Sequence, residues 1–123
     1  MTVKSYSDLV AWQKAMSLVE EVYKITKGFP KEELYGLVSQ LRRAAISVPS
    51  NIAEGHSRNG SREFVHHLSI AHGSLSEVET QVEIARRLGY ITDERQASIF
   101  ELASETGRII NGLMNSVEKY AAR

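Results

Sequence analysis

The sequence has no cysteine, and this absence excludes several kinds of chemistry at once. Disulfide bonds, thiolate catalysis and cysteine-ligated zinc or iron–sulfur sites are all ruled out. Lysine plus arginine number 15 and aspartate plus glutamate number 15, so the formal net charge is zero. A neutral chain has no overall field that would concentrate nucleic acid or an anionic membrane, so binding to either requires a local patch of charge.

Long apolar runs are also missing. Residues 1–13, MTVKSYSDLVAWQ, lack the apolar core of a signal peptide. No stretch approaches the roughly 18 uninterrupted apolar residues that a membrane span needs. We therefore expect a soluble, cytoplasmic protein without a membrane partner. With 123 residues the chain has the size of one domain, spanning residues 1–123 and built around one core.

Strand signals are scarce, because proline occurs only at Pro30 and Pro49 and β-branched residues never alternate with polar ones. Apolar residues instead recur at steps of three and four, which is the spacing of one face of an α-helix. Four such stripes predict four amphipathic helices. The stripes are Leu9, Trp12, Met16, Val19, Tyr23 and Thr26; Leu34, Val38, Leu41, Ala45, Val48 and Ile52; Phe64, Leu68, Ala71, Leu75, Val78, Val82, Ala85 and Gly89; and Ile99, Leu102, Thr106, Ile109, Leu113, Ser116 and Tyr120.

The helices are joined by the short links GFP, GHSRNG and GYIT. A short loop cannot carry the chain across a bundle, so consecutive helices are expected to be antiparallel neighbours. We predict an all-α fold, an antiparallel up-down-up-down four-helix bundle. The first helix is expected to have a cap at Ser7 or Asp8 and a stop at Gly28. The second is expected to start at Glu32 and Glu33 and to stop at Gly55. The third should span Ser61 to Leu88, and Thr92 should cap the fourth.

The proline at position 49 interrupts the second helix. Pro49 cannot donate to the carbonyl of Ala45 and its ring crowds that carbonyl, which costs about 3 kcal/mol in a straight helix. We expect a proline kink there, or a restart of the helix with Ser47 as its cap. Two interpretations remain open. One is a kink over the core, and the other is a polar contact site for a subunit or ligand that includes Ser50, Asn51 and Glu54. A bend with a polar lining is consistent with both.

Glu63 and His66 form a Glu-x-x-His pair, which ligates di-iron centres in some helical bundles. Such a centre needs a second copy of the pair and two further inward glutamates, and this chain has no second copy. His66 is also expected to face outward, because it lies roughly 160–200° around the helix from Phe64 and Leu68. We predict no metal site and no cofactor. The histidines are expected at the surface or at a subunit interface: His56, His66, His67 and His72.

No phosphate-binding loop, dinucleotide-binding turn or serine-nucleophile motif occurs, so the chain is not predicted to be an enzyme. Charge is unevenly distributed: four arginines outnumber two glutamates in residues 42–72, whereas acids outnumber arginines in residues 77–105. One end is therefore predicted to be cationic, available to a phosphate backbone or to the acidic flank of another subunit. The predicted contact residues are Arg42, Arg43, Arg58, Arg62 and His66.

The third helix carries a line of small residues, and Gly73 within it costs about 1 kcal/mol relative to alanine. Close approach of another helix is the usual reason, either within the bundle or across a subunit boundary. Ile46, Ile70 and Ile84 lie off the core stripes and would be exposed in an isolated bundle. The residues predicted to form the kink or a subunit interface are Ser47, Pro49, Asn51, Glu54, Ser69, Gly73 and Ser76, with Thr80 continuing the line.

Four segments carry a resemblance to a known family: DLVAWQKAMSLVEEVY (8–23), FPKEELYGLVSQLRRAAISVPSNIAEG (29–55), FVHHLSIAHGSLSEVETQ (64–81) and LGYI (88–91). The chain resembles the four-helix-bundle proteins named for 23S ribosomal RNA intervening sequences. The resemblance implies a bacterial, ring-like homopentamer with no known enzymatic activity. Some relatives of this bundle are accessory subunits of reverse transcriptases in diversity-generating retroelements, where a basic surface engages nucleic acid and protein. The balanced charge of this chain departs from that pattern.

Three functions follow from the sequence and the resemblance. The first is a non-enzymatic, self-assembling adaptor whose arginine-rich end contacts RNA, DNA, a reverse-transcriptase-like enzyme or an acidic protein. The second is a purely structural homo-oligomer in which those arginines lie at subunit interfaces. The third, which has the least support, is a metal-dependent or small-molecule enzyme that uses Glu63, His66 and His67.

Overall fold

A computed structural model describes residues 5–121. Within this range all regular structure is helical, which confirms the all-α class and the four predicted helices. Short 3-10 helices at Tyr6–Asp8 and Lys31–Glu33 precede the first and second α-helices. The α-helices are α1 (Val10–Thr26), α2 (Leu37–Ser57), α3 (Ser61–Arg87) and α4 (Asp93–Ala121).

Each helix packs against its neighbours in the chain, and α1 also packs against α4, so the four helices enclose one core. The hydrogen bonds between α2 and α3 join Ser47 to Ser74 and Asn51 to His67. Residue numbers therefore rise along one helix as they fall along the other. Such contacts belong to antiparallel neighbours and fit the predicted up-down-up-down order.

The core stripe of α3 is the one that the sequence predicts best. Phe64 at its start is half-buried, and Gly89 follows the helix in an exposed turn with a φ of 81°. The intervening stripe residues are all buried: Leu68, Ala71, Leu75, Val78, Val82 and Ala85. Their regular spacing is enough to keep one face of this 27-residue helix in the core over about five turns.

The predicted core stripe of α1 is wrong by a rotation of about one residue. Trp12, Val19 and Tyr23 are only half-buried, and Met16 is exposed. The helix carries two apolar stripes side by side, and the stripe with two alanines enters the core because small side chains allow close helix packing. The buried residues are Ala11, Ala15, Leu18, Val22 and Ile25, with Thr26 beside them.

The start of α2 also differs from the prediction. Glu32 and Glu33 lie in the preceding 3-10 helix, and Leu34, predicted to be in the core, is exposed. Glu33 caps α2 from outside, because its Oε1 accepts a hydrogen bond from the backbone N–H of Leu37 at 3.2 Å. Its Oε2 accepts one from the Tyr90 hydroxyl at 2.9 Å, which joins the α1–α2 connection to the α3–α4 connection.

Pro49 and Gly55 both lie inside α2, which continues to Ser57. The predicted restart at Ser47 and the predicted stop at Gly55 are therefore wrong, while a bend at Pro49 stays a prediction. Gly55 is buried where α2 approaches α3 closely. A Cβ atom at Gly55 would lie 2.6 Å from the Cβ of His67 and 3.2 Å from Cδ1 of Phe64, so only glycine fits without movement of α3.

The ends of the other helices complete the comparison. The capping pair of Ser5 and Asp8 belongs to the first 3-10 helix, so neither Ser7 nor Asp8 caps α1, whose N-cap is Leu9. Thr92 caps α4 as predicted, because its Oγ1 accepts a hydrogen bond from the backbone N–H of Arg95 at 3.2 Å.

The predicted core stripe of α4 is half right. Ile99 and Thr106 are buried, Leu102, Ile109 and Leu113 are half-buried, Ser116 and Tyr120 are exposed, and the core takes Ala103, Gly107 and Ile110 instead.

Replacing Gly55 by alanine should lower the free energy of unfolding by about 1–3 kcal/mol, because the added methyl group overpacks the α2–α3 contact. The matched control is Gly112→Ala in α4, where a Cβ meets no atom within 4 Å. That variant should gain about 1 kcal/mol from helix propensity. Urea unfolding at one fixed protein concentration measures both, and a stabilised Gly55→Ala variant would contradict the close approach.

Candidate assembly surface and polar network

The four arginines of the predicted cationic end do not form one patch. Arg42 is half-buried against α1, where its Nε donates to Thr26 Oγ1 at 2.9 Å and its guanidinium lies 4.3 Å from the centre of the Tyr23 ring. Arg58 follows the last residue of α2, roughly 24 Å further along the helix axis at 1.5 Å per residue. The predicted grouping is therefore wrong, because a helix distributes residues 42 to 58 along nearly its whole length.

Three of the predicted contact residues remain together at the α2–α3 corner: Arg58, Arg62 and His66. Arg58 Nη2 donates to Glu54 Oε2 at 2.7 Å, so its charge is already balanced. This hydrogen bond, with a smaller contribution from the charge of His67, lowers the pKa of Glu54. Arg62 and His66 are exposed near the start of α3, and the outward direction predicted for His66 is confirmed.

A chain of polar side chains crosses from α2 to α3. The Oγ atoms of Ser47 and Ser74 are 2.8 Å apart. Asn51 Nδ2 donates to the Ser47 carbonyl at 2.9 Å and also contacts Ser47 Oγ at 3.0 Å. Since the amide nitrogen of Asn51 faces that carbonyl, its Oδ1 faces His67 Nδ1, 3.0 Å away, and His67 donates this hydrogen bond. Polar side chains therefore lie near Pro49 as predicted, and Ser47 and Asn51 form hydrogen bonds with α3 of the same chain.

His67 is buried, which corrects the expectation of a surface histidine. Its Nε2 lies 3.8 Å from Glu54 Oε2, so the polar chain continues through Glu54 to Arg58. The sequence-based expectation places all four histidines at the surface or at an interface, although the adjacent His66 and His67 point about 100° apart on a helix. The sequence feature that indicates burial of His67 is its position directly beside Leu68, at the edge of the core stripe that faces α2.

The line of small residues on α3 is exposed to solvent. Ser69, Gly73, Ser76 and Thr80 all lie on the outer side of the helix. A Cβ atom at Gly73 would meet no atom within 4 Å, so no part of residues 5–121 approaches this glycine. Of the two explanations for Gly73, close approach of another helix within the bundle is therefore wrong. An approach across a subunit boundary remains a proposal.

Large apolar side chains are exposed mainly away from α4. Ile46, Ile70 and Ile84 are 41%, 40% and 42% exposed, as predicted from their positions off the core stripes. Tyr35, which has no sequence signal, is 93% exposed in the turn before α2. In the described part of α4 the exposed large apolar side chain is Tyr120, close to the helix end. The others lie on α1, in the first 3-10 helix or in the turns: Val10, Met16, Tyr6, Leu34 and Leu88.

An apolar groove runs between α1 and α2 and encloses about 300 Å³. Met16, which belongs to the α1 stripe that the core leaves out, faces Ile46 and Pro49 across it. One apolar stripe of α1 therefore packs in the core, and the neighbouring stripe lines this groove. Its lining residues are Tyr6, Trp12, Met16, Val19, Ile46, Pro49, Ser50 and Ala53.

Neither a metal site nor a membrane span is found in the described residues. Within residues 5–121 no group of three or more histidine, aspartate or glutamate side chains could hold a metal ion. Glu63 and His66, the pair weighed for a di-iron centre, are both exposed. None of the helices in this range is long and apolar enough to cross a bilayer. The expected cytoplasmic location stays a prediction.

Replacement of Asn51 by alanine should cost about 1–3 kcal/mol of unfolding free energy, because the buried His67 loses its hydrogen-bond acceptor. Asn111→Ala is the control, since Asn111 is exposed on α4 and its loss should change stability by no more than about 0.5 kcal/mol. Chemical unfolding of both variants gives the comparison. Equal stabilities would show that the α2–α3 polar chain contributes nothing.

Comparison with known proteins supports the fold and identifies the family. A protein of unknown function from the S23 ribosomal protein family of Bacteroides thetaiotaomicron has a similar crystal structure, with a TM-score of 0.80 and 23% sequence identity. The match covers 86% of this chain and 96% of that one. No curated protein matches the sequence. The family model for the 23S rRNA-intervening sequence protein matches residues 7–112, and the chain therefore belongs to that family.

Proposed function

We propose that this protein is a non-enzymatic structural component that assembles with copies of itself. The observation that carries the proposal is the distribution of exposed large apolar side chains. Among the described residues α4 has only Tyr120, near its end, whereas the others lie on α1, α2, α3 and the connections. Solvent-exposed apolar side chains grouped on particular faces mark interaction sites. In the proposed assembly α4 faces water, while α1, α2 and α3 contact other subunits.

Two further properties of the chain support self-association rather than binding to a partner of strong opposite charge. The formal net charge is zero, so copies of the chain do not repel one another. The open space above Gly73 also allows a neighbouring backbone to approach α3 closely, which is the common use of a mid-helix glycine. Burying apolar area there contributes about 25 cal/mol per Å².

The apolar surfaces lie on different parts of the chain, one in the α1–α2 groove and one on the outer face of α3. A contact between two different surfaces is head-to-tail, and such contacts close into rings when the rotation allows. A ring-like homopentamer is the expected form, and for the number five the proposal relies on the family resemblance described from the sequence.

Introducing a charge into either surface should dissociate the assembly. We expect wild-type protein to sediment as an oligomer at micromolar concentration, and Ile46→Glu and Ile70→Glu to break the ring contact and lower the mass severalfold. Asn111→Glu, an exposed polar position on α4, should leave the mass unchanged. Sedimentation equilibrium measures all four proteins, with circular dichroism to verify helicity. A monomeric wild type would refute self-assembly.

A second function, nucleic-acid contact, is favoured by one feature of the α2–α3 corner. A cavity of about 420 Å³ there is lined by aromatic and basic side chains, among them His56, Arg58 and Tyr120. Arg62 and His66 are exposed nearby on α3. Aromatic rings that stack bases next to cationic side chains are typical of single-strand binding.

RNA binding tested against salt decides this second function. We expect single-stranded RNA to bind at about 50 mM salt and to weaken as salt rises, because arginine contacts to phosphate release counterions. Arg62→Glu should weaken binding strongly, whereas Arg95→Glu, an exposed arginine at the start of α4, should not. Absence of any complex at the lowest salt would remove the nucleic-acid function and leave self-assembly unaffected.

A further inference from the structure

A second groove, between α2 and α3, differs from the apolar one because it is lined mainly by polar residues. It encloses about 520 Å³ near the end of the bundle where α2 begins. Arg43 from α2 and Glu77 from α3 both line it, and both are exposed. Neither side chain has an ion-pair or hydrogen-bond partner within residues 5–121. The lining residues are Tyr35, Ser39, Gln40, Arg43, Ala44, Ser47, Glu77 and Gln81.

The groove also contains an unsatisfied acceptor. Gln81 Oε1 is buried and has no hydrogen-bond partner among the described residues. Buried polar atoms of this kind are uncommon in folded proteins because the lost contact with water is not replaced. At the mouth of the groove, Tyr35 is almost fully exposed. Tyrosine and arginine are among the residues that contribute most to binding at protein interfaces.

We propose that this groove is a two-fold contact between two copies of the chain, in which Arg43 pairs with the partner's Glu77. The inference rests on the proposed self-assembly and names the surface and the pairing. A patch with one cation and one anion is complementary to itself after a two-fold rotation, because the cation of each copy then faces the anion of the other and the ion pair forms twice.

Charge favours a second copy over nucleic acid as the occupant. A phosphate backbone would be attracted by the Arg43 guanidinium and repelled by the Glu77 carboxylate in the same groove. The two-fold contact differs from the head-to-tail contact of a ring, whose neighbouring subunits use different surfaces. It therefore pairs subunits from two rings, and the complete assembly has twice the mass of one ring.

Charge reversal with complementation tests the pairing. Arg43→Glu and Glu77→Arg should each halve the mass measured by sedimentation, because each places like charges opposite one another. An equimolar mixture of the two single variants should recover the wild-type mass, since glutamate at position 43 then faces arginine at position 77 in the other copy. The chain carrying both reversals should also recover it, which shows that the substitutions allow folding. Arg108→Glu, on the polar outer side of α4, is the charge-matched control and should keep the wild-type mass.

The outcomes separate this inference from the general proposal. A wild type that is monomeric contradicts self-assembly itself, and with it this contact. An oligomeric wild type whose mass is unchanged by either single reversal contradicts only the two-fold contact. If the doubly reversed chain recovers the mass while the mixture does not, Arg43 and Glu77 act within one chain, and the pairing between copies is wrong.

Discussion

The packing of α2 against α3 is the contact on which the rest of the structure depends. At Gly55 the two helices come so close that a single added carbon would meet His67. One to two turns away, hydrogen bonds join Asn51 to His67 and Ser47 to Ser74. An apolar contact can slide along a helix, whereas these hydrogen bonds are satisfied in one register. The register of α2 and α3 in turn places the polar groove on one side and the α2–α3 corner at one end.

The sequence predicts most of the fold, and its errors have identifiable physical causes. The α3 stripe is correct because one face of that helix is clearly more apolar than the rest. The α1 stripe is rotated because Trp12 and Met16 are more hydrophobic than Ala11 and Ala15, although alanine packs closest at the core. Gly55 reads as a helix stop because glycine commonly ends helices. Its role in the structure is close packing against α3, which depends on a residue twelve positions away.

The candidate site is less predictable than the fold, because surface function depends on which residues become neighbours. Grouping Arg42 with Arg58 required them to be close, and the length of α2 keeps them apart. The exposure of Ile46, Ile70 and Ile84 follows from helical spacing alone and is confirmed. Tyr35 gave no such signal, since its turn has no periodic pattern. Exposed apolar residues were therefore predictable on helices and not in the connections between them.

The carboxylate of Glu33 has a consequence for the motion of the bundle. One of its oxygens holds the first amide of α2 and the other holds the hydroxyl of Tyr90, so a single side chain links both interhelical turns at that end. Local opening of either turn breaks a bond that also restrains the other turn. The two connections at this end of the bundle are therefore tethered to each other by one carboxylate.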